Sequence, residues 1–309
     1  MRRDFVDTLG RECGIARQEL LEKDLIIHLL LLDLSKSQFT NANLLFKGGT
    51  CLIKHYLGYF RFSEDIDFTW RDQGIFVGQS ASQIRNMLSS AVDHIGETLE
   101  TAASKRDFDF RWSKGEERYV ELRGGGKICT FKVWYHSEVL DTNAFVKVTI
   151  NFLEKICFTP LSGDLKGIYI DEGSQVYDLF PEYRDYSRII AFSIYDLREI
   201  LCEKVRAILT RRGVKARDFV DIFLIKEKHG IEPKNLTASL IEKTNFSLRL
   251  YEKYRQNLDA KRSALQSGDL FEWGSEKDLL LTAIDERQLY EFVGQFQKYL
   301  RDISSKLQY

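Results

Sequence analysis

The chain has 309 residues and a formal net charge of −1, with 44% hydrophobic and 29% charged residues. This balance predicts a globular protein of one large or two moderate domains and excludes a basic surface spread over the whole molecule. The five cysteines are widely spaced and form no CxxC pair, which favours reduced thiols in a cytoplasmic protein over a disulfide framework or a zinc site. The opening residues lack the apolar core of a signal peptide, and the most apolar run, residues 25–34, is too short to cross a membrane.

Hydrophobic periodicity in the first half of the chain predicts a mixture of helices and strands. Residues 14–36 predict a long helix that is apolar on most sides and therefore buried. After it, the sequence predicts a short helix at 51–58, a longer helix at 80–103, and strands at 65–70, 127–136 and 144–154. The last two runs alternate apolar and polar residues and predict an antiparallel pair.

The second half predicts a different architecture. Residues 155–190 are rich in glycine and proline and mark a soft boundary, so we expect domains at 1–158 and 159–309. Beyond the boundary the chain predicts helices only, and Ser193 is a candidate N-cap for the first of them. These helices are expected at 193–212, 216–229, 236–265 and 276–307.

The most informative segment contains two aspartates, Asp65 and Asp67, two positions apart on a predicted strand. Side chains at i and i+2 of a strand point to the same face, which brings two carboxylates side by side. This arrangement is costly without a cation, and Mg²⁺ takes carboxylate and phosphate oxygens together. The pair therefore predicts a Mg²⁺ site, and an ordinary solvated strand face is the alternative for a DxD sequence by itself.

A glycine pair precedes the aspartates in the same segment. Gly48 and Gly49 allow a backbone to approach a phosphate closely, and a helix that begins there adds N–H donors. Thr50 offers a hydroxyl to the β- or γ-phosphate of an NTP. A glycine pair alone predicts only a turn, but its position shortly before Asp65 and Asp67 favours a nucleotide site.

This segment resembles the nucleotidyltransferase superfamily with a polymerase-beta-like core and, more narrowly, the AbiEii/AbiGii toxin family, which includes the MenT toxins. Three stretches carry the resemblance: LEKD at 21–24, FKGGT at 46–50 with RFSEDIDF at 61–68, and Glu203-Lys204 with RDFVD at 217–221. The resemblance implies an α/β (α+β) fold, a nucleotidyltransferase core with a mixed sheet followed by a helical C-terminal domain. It also implies an enzyme that moves an NMP from an NTP onto an acceptor, which in characterised relatives is RNA, notably the 3′ end of tRNA. Such a toxin acts in toxin–antitoxin or phage-defence systems and is usually encoded beside an antitoxin.

The resemblance extends to residues of the helical half. Lys204 lies at the flank of an apolar helix stripe, where a lysine must snorkel or find an anion, and Asp218 and Asp221 share one helix face. The resemblance makes Lys204 a contact of the triphosphate or base and gives Asp218 a part in catalysis or nucleotide positioning. The full set that it implies is Asp65 and Asp67 as metal ligands and catalytic residues, Lys204 and Asp218 as further catalytic residues, and Lys47, Gly48, Gly49, Thr50, Arg61, Ser63, Lys147 and Asp221 as nucleotide contacts.

The sequence departs from the superfamily pattern at one point. Relatives often carry a third carboxylate on a later strand, and here Thr149 occupies that position. Glu154 at the end of the strand is a candidate substitute, and Lys147 on the same face would meet a phosphate. An ordinary solvated strand face is the alternative for these residues.

A basic run lies between residues 204 and 217, which contain six lysines and arginines and no acidic residue. Such a patch in a neutral protein suits the phosphate backbone of an RNA such as tRNA, and a charged helix end is the alternative. Two rival functions stay open. One is nucleotidylation of a protein or small molecule, and the other is a catalytically inactive regulatory module, which loss of the third carboxylate would fit.

Overall fold

The structure is a computed structural model that describes residues 1–171, 173–267 and 270–309. The chain divides into two units, the first formed by Met1–Leu153 with Pro160–Ile194 and the second by Glu154–Thr159 with Tyr195–Tyr309. The expected boundary after residue 158 is therefore wrong for the segment that follows it. Residues 160–194 belong to the first unit because they add two strands to its sheet.

The first unit is built on a mixed sheet to which the described residues contribute seven strands. The strands are β1 (Leu44–Lys47), β2 (Asp65–Trp70), β3 (Val120–Arg123), β4 (Ile128–Ser137), β5 (Thr142–Asn151), β6 (Leu161–Leu165) and β7 (Ile190–Ile194). Their order across the sheet is β3-β4-β5-β2-β1-β7-β6. β2 lies at the centre, antiparallel to β1 and parallel to β5. The mixed α/β fold expected from the sequence is confirmed.

Helices cover one face of this sheet. α2 contacts β5 and β7, and α5 contacts β4. The strand residues on that face, such as Phe68, Val133 and Val148, are almost fully buried. The helices of the first unit are α1 (Arg3–Glu12), α2 (Gln18–Lys36), α3 (Gln38–Asn43), α4 (Gly48–Cys51), which continues as a π-helix over Leu52–Leu57, α5 (Ala81–Lys105) and α6 (Val176–Leu179).

The second unit is helical in its described residues. Its helices are α7 (Leu197–Thr210), α8 (Ala216–His229), α9 (Thr237–Leu250), α10 (Glu252–Ser267) and α11 (Glu286–Lys306). α8 ends at Gly230, which adopts the left-handed conformation that favours glycine, as the sequence predicts. The N-cap of α7 is Asp196, whose side chain accepts a hydrogen bond from the Arg198 amide; the expected cap, Ser193, lies in β7 instead. The helix expected over 236–265 is interrupted at Tyr251.

The cysteines are all free thiols. Cys51, Cys129 and Cys202 are buried, and Cys13 and Cys157 are partly exposed. Burial raises the pKa of Cys129 and of Cys202 to about 12, so both thiols stay protonated near neutral pH.

The apolar run at residues 25–34 lies inside α2 and is buried against the rest of the first unit. Among the helices that the structure describes, none combines the length and the apolar character needed to span a membrane. The high apolar content of α2 therefore reflects its central place in the core.

Candidate active site

The two aspartates lie on the open face of the central strand. Along β2 the side chains alternate, so that Ile66 and Phe68 are fully buried while Asp65 and Asp67 are partly exposed on the opposite face. β2 is held on both sides, by β1 and by β5. The backbone that carries the two carboxylates is therefore fixed by hydrogen bonds to both neighbours, and the carboxylates themselves remain accessible to a ligand.

The glycine turn packs directly against one of these carboxylates. Gly48 follows β1 with a φ of +77°, and a Cβ built on it would lie only 2.6 Å from Asp67 Oδ2. A side chain at this position would collide with the carboxylate, and the positive φ is itself strained for any residue other than glycine. The structure thus brings the glycine turn and the carboxylate pair together within the first unit.

Arg61 and Ser63 support the second glycine. A Cβ on Gly49 would lie 2.8 Å from Arg61 Nη2 and 3.0 Å from Ser63 Oγ. Arg61 is only 2% exposed, and its Nη1 donates a hydrogen bond of 2.7 Å to the Phe62 carbonyl. A buried guanidinium beside the turn places a fixed positive charge next to the site, where it would favour a bound anion.

Thr50 is oriented inward by hydrogen bonds within the protein. Its hydroxyl contacts the backbone carbonyl of Asp65 and, at 2.9 Å, the hydroxyl of Ser63. Thr50 is the donor in both contacts, since the Asp65 carbonyl can only accept and the Ser63 oxygen lies as an acceptor, and its single proton is shared between these two oxygens. Thr50 therefore ties the turn to the start of β2, and the expectation that its hydroxyl donates to a phosphate does not fit this arrangement.

β5 extends the same face beyond the carboxylates. In the register of the sheet, Lys147 lies opposite Asp65 and Thr149 lies opposite Asp67, while Lys47 flanks Asp67 from β1. Directly opposite residues on neighbouring strands share a face. The face that carries the two carboxylates therefore also carries two lysines, Lys47 and Lys147.

A third carboxylate is not supplied by β5. Thr149 is hydrogen-bonded to Thr130 of β4, with 3.2 Å between the hydroxyl oxygens. Glu154, the candidate substitute, is buried in the second unit and pairs with Arg206 at 2.9 Å and with Lys243 at 3.4 Å, so this expectation is wrong. Within the described residues, no cluster of three or more His, Cys, Asp or Glu side chains is arranged to hold a metal ion.

A buried cluster beneath the glycine turn was missed by the sequence reasoning. Lys54, in the π-helix that continues α4, forms an ion pair of 2.9 Å with Asp24 of α2, and both side chains are buried. The hydroxyls of Tyr59 and Tyr186 donate to the other oxygen of Asp24 at 2.8 and 2.9 Å. Burial lowers the pKa of Lys54 and raises the pKa of both tyrosines. A lysine inside an apolar helix is the signal that singled out Lys204, and it applies equally to Lys54.

The two residues before Asp24 hold other parts of the core. The Lys23 ammonium pairs at 3.0 Å with Glu64, the residue next to Asp65. The buried carboxylate of Glu22 accepts hydrogen bonds from the Glu138 amide at 2.9 Å and from the Ser137 hydroxyl, at the turn between β4 and β5. The LEKD stretch is therefore a structural anchor for three elements of the first unit.

The predicted residues of the helical half form a second cluster inside the second unit. The Lys204 ammonium pairs with Asp221, which is fully buried, and lies 3.4 Å from Asp218 Oδ1. The other oxygen of Asp218 pairs with Arg211 at 2.8 Å. The two aspartates share a face of α8, as predicted, and each side chain of the cluster has a partner of opposite charge.

The basic run at 204–217 is largely neutralised by acidic residues from elsewhere in the sequence. Arg206 is only partly exposed and pairs with Glu203 and Glu154, and Arg217 pairs with Glu276 at 3.3 Å. The local basic patch expected over this run is therefore smaller than the count of its lysines and arginines suggests. What remains cationic is the loop between α7 and α8, where Arg212 is exposed and Lys215 is partly exposed. Desolvation and the neighbouring positive charges of Arg217 and Arg211 lower the pKa of Lys215.

Comparisons with known proteins agree with this architecture. A family model described as "Nucleotidyl transferase AbiEii toxin, Type IV TA system" matches residues 29–300. MenT4, a nucleotidyltransferase toxin from Mycobacterium tuberculosis H37Rv, is structurally similar over 100% of both chains, with 18% sequence identity and a TM-score of 0.55. JHP933 from Helicobacter pylori is similar over 94% of this chain and 95% of its own, with 14% identity and a TM-score of 0.41. A search of curated proteins found no match. At 18% identity the likeness to MenT4 shows a shared fold.

Proposed function

Because the chain belongs to the AbiEii nucleotidyltransferase toxin family of type IV toxin–antitoxin systems, we propose that it transfers an NMP from an NTP onto the 3′ end of a tRNA. The family implies an NTP substrate and an antitoxin partner. The observation that carries the proposal is the packing of Gly48 against the Asp67 carboxylate. This packing places the Gly48 backbone, which a phosphate can approach closely, next to the Asp67 carboxylate, which can bind a divalent cation.

Nucleotidyltransferases use divalent metal ions, and we propose Mg²⁺ for this one, bound by Asp65 and Asp67. Mg²⁺ is usually held by one or two carboxylates together with substrate phosphates and waters, rather than by a protein cage. Two carboxylates on one face of β2 fit that description, and Thr149 in place of a third does not prevent it. When bound, Mg²⁺ would neutralise charge on the phosphates and polarise the acceptor oxygen.

The residues around the turn would orient the triphosphate. The backbone of Gly48 and Gly49 would lie against phosphate oxygens, with the buried Arg61 charge beside them. Lys47 of β1 would contribute further positive charge beside Asp67, and Ser63 places a hydroxyl next to Gly49. These groups would bind the nucleotide and hold its α-phosphorus near the carboxylates.

The reaction itself needs positioning more than covalent chemistry by the protein. The acceptor hydroxyl oxygen would form a bond to the α-phosphorus while the bond from that phosphorus to the bridging β-phosphate oxygen breaks. Pyrophosphate would leave, and the hydroxyl proton would pass to a carboxylate of the Asp65–Asp67 pair. The fixed charges around the glycine turn would stabilise the negative charge that develops on the leaving group.

The charged cluster of the second unit would serve the nucleotide. Lys204 and Asp218 retain the roles implied by the family resemblance, as a nucleotide contact and a positioning acid, and Asp221 would hold the Lys204 ammonium in place. A buried ion pair of this kind is weak evidence for stability, because the desolvation of both charges offsets their attraction. The cationic loop at Arg212 and Lys215 would meet the phosphate backbone of the acceptor RNA.

The proposal is tested by asking which molecule becomes labelled. The full chain is incubated with Mg²⁺, each α-labelled NTP in turn, total tRNA and cell protein, and the products are separated. We expect label on tRNA with wild type and none with Asp67→Asn. Asp141→Asn is the matched control, because Asp141 is exposed in a turn with a φ of +50°, which asparagine adopts easily.

Each other outcome excludes part of the proposal. Label on protein in place of tRNA would refute the RNA acceptor, and no label with any NTP would favour a regulatory binding module. Full transfer by a correctly folded Asp67→Asn variant would show that the metal assignment to this residue is wrong.

A further inference from the structure

Two aromatic side chains lie on the open face of the sheet, beside the carboxylates. Phe145 of β5 is two residues before Lys147 and shares its face, and it lies opposite Trp134 of β4, with 4.7 Å between the ring centroids. The Lys147 ammonium is 5.8 Å from the centroid of Phe145, and the Arg118 guanidinium is 4.6 Å from that of Trp134. We call these four residues the cation–aromatic ladder.

The ladder is separate from the hydrophobic core. The alternate residues of the same strands, Val146, Val148 and Val133, are at most 1% exposed on the covered face. Phe145 and Trp134 are both partly exposed, and Lys147 is exposed. Cross-strand aromatic pairs do stabilise sheets. Arg118 is fixed beside Trp134 by an ion pair of 2.7 Å with Asp109 and by a hydrogen bond of 2.9 Å from the Trp134 indole to the Arg118 carbonyl, so the ring and the guanidinium are held together near the face that carries Asp65.

The order of the strands places the ladder on the side from which the acceptor would approach the α-phosphorus. β1, which leads into Gly48 and Gly49, is on one side of β2, and β5 with β4 is on the other. In-line displacement needs the attacking oxygen and the leaving pyrophosphate on opposite sides of the α-phosphorus. If the triphosphate rests on the glycine turn, the acceptor approaches Asp65 and Asp67 across β5 and β4, where the ladder lies.

We propose that the ladder is a stacking platform for the unpaired bases at the 3′ end of the acceptor RNA. Unpaired bases stack on aromatic rings and on arginine guanidinium planes, and this recognition tolerates different sequences because every base has a π face. Lys147 would pair with the phosphate nearest to the reacting hydroxyl. The direction of approach rests on the proposed function, whereas binding of single-stranded RNA to the ladder is measurable without any transfer.

The test measures RNA binding in the absence of NTP. A fluorescein-labelled single-stranded RNA of about six nucleotides is titrated with the full chain carrying Asp67→Asn, and both anisotropy and tryptophan emission are followed. On this background Phe145→Leu keeps apolar bulk but removes the π face, and we expect at least a tenfold weaker affinity. Trp134→Phe should bind within threefold of the parent but lose the emission change caused by RNA. Tyr169→Ser, which removes an exposed aromatic ring outside the sheet, is the control and should change nothing.

Several results would overturn the platform. They are unchanged affinity in both Phe145→Leu and Lys147→Met, an emission change that survives in Trp134→Phe, and a blunt RNA duplex that binds as tightly as the single strand. Tight binding of single-stranded DNA with no binding of RNA would also overturn it. Absence of transfer by the wild-type enzyme with intact ladder-dependent binding counts against the proposed function alone. Normal transfer to RNA with binding that ignores the ladder counts against the platform alone.

Discussion

Replacing Gly48 with alanine is expected to move the Asp67 carboxylate by a distance that the structure defines. The added Cβ would lie 2.6 Å from Asp67 Oδ2 and 3.1 Å from Asp67 Cβ. Opening the first contact to an ordinary 3.4 Å requires a shift of about 0.8 Å. A misplacement of about 1 Å at a reacting group costs roughly 100-fold in rate. We therefore expect Gly48→Ala to lower kcat for NMP transfer by about two orders of magnitude.

Backbone strain is separated from this effect by a matched variant. Gly230 ends α8 with a φ of +67°, and no atom lies within 4 Å of a Cβ built there. Alanine at either glycine must adopt a left-handed backbone, at a cost of roughly 1–2 kcal/mol. Gly48→Ala and Gly230→Ala should therefore lose similar free energies of unfolding in urea, whereas only the alanine at position 48 would contact the Asp67 side chain.

The assay compares kcat and KM for an α-labelled NTP at saturating acceptor in the wild type and the two variants. The expected pattern is a loss of kcat in Gly48→Ala and wild-type kinetics in Gly230→Ala. Wild-type transfer by Gly48→Ala would refute the contact between the turn and the carboxylate as a requirement for catalysis. An equal loss of kcat in Gly230→Ala would show that reduced stability, and not the contact with Asp67, causes the effect.

Two further predictions concern buried charges. Lys204→Met removes the ammonium that pairs with the buried carboxylate of Asp221 and should lower the free energy of unfolding by about 3–5 kcal/mol. Adding Asp221→Asn should restore most of that stability, measured in urea, but not NTP use; recovery of both would remove Lys204 from nucleotide binding. Burial lowers the pKa of His28 to about 3, so the unfolded chain takes up a proton near pH 6.5 that the folded chain does not, and stability is lost as pH falls from 6.5 towards 3. His28→Gln should abolish about 2 kcal/mol of the loss between pH 7 and pH 5, and an unchanged loss would show that other groups cause it.

Local periodicity was sufficient to predict the parts of the site that lie within one element. The alternation of β2 places Asp65 and Asp67 on one face whatever the neighbouring strands are, because the side-chain period of a strand is two. The end of α8 at Gly230 follows from the same kind of local rule. These features need no knowledge of the rest of the chain.

Pairings between distant segments were not predictable in this way. β7 joins the sheet beside β1, with Phe46 opposite Ile194, although the segment before it reads as an irregular boundary. Ser193 has the composition of a helix cap, but its strand pairing with Ser162 of β6 overrides that local preference. Strand pairing depends on tertiary context more than on the local sequence, so the composition of residues 155–190 does not reveal that residues 160–194 belong to the first unit.

Charge balance was misjudged for a related reason. Counting charges along residues 204–217 finds no acid, yet Glu154 and Glu276 neutralise Arg206 and Arg217 in the folded unit. The cost of burying an arginine such as Arg206 requires a partner, wherever it comes from in the sequence. A basic run on a helix that also carries an apolar stripe should therefore be expected to have distant acidic partners.

The anchor formed by α2 explains how the site keeps a tolerance of less than 1 Å. Asp24 holds Lys54 and so fixes the helix that follows the glycine turn, while Lys23 holds Glu64 at the start of β2. Both ties begin from adjacent residues of one rigid helix, so the turn and the strand are positioned relative to the same backbone. The buried Asp24–Lys54 pair contributes more than the Lys23–Glu64 pair. Loss of either buried partner leaves an uncompensated charge in the core, whereas the partly exposed Lys23–Glu64 pair contributes little by itself. The pairing of β1 with β2, in which Lys47 lies opposite Asp67, sets the position of Gly48 relative to Asp67, and Asp24 adds to it by holding the helix after the turn through Lys54.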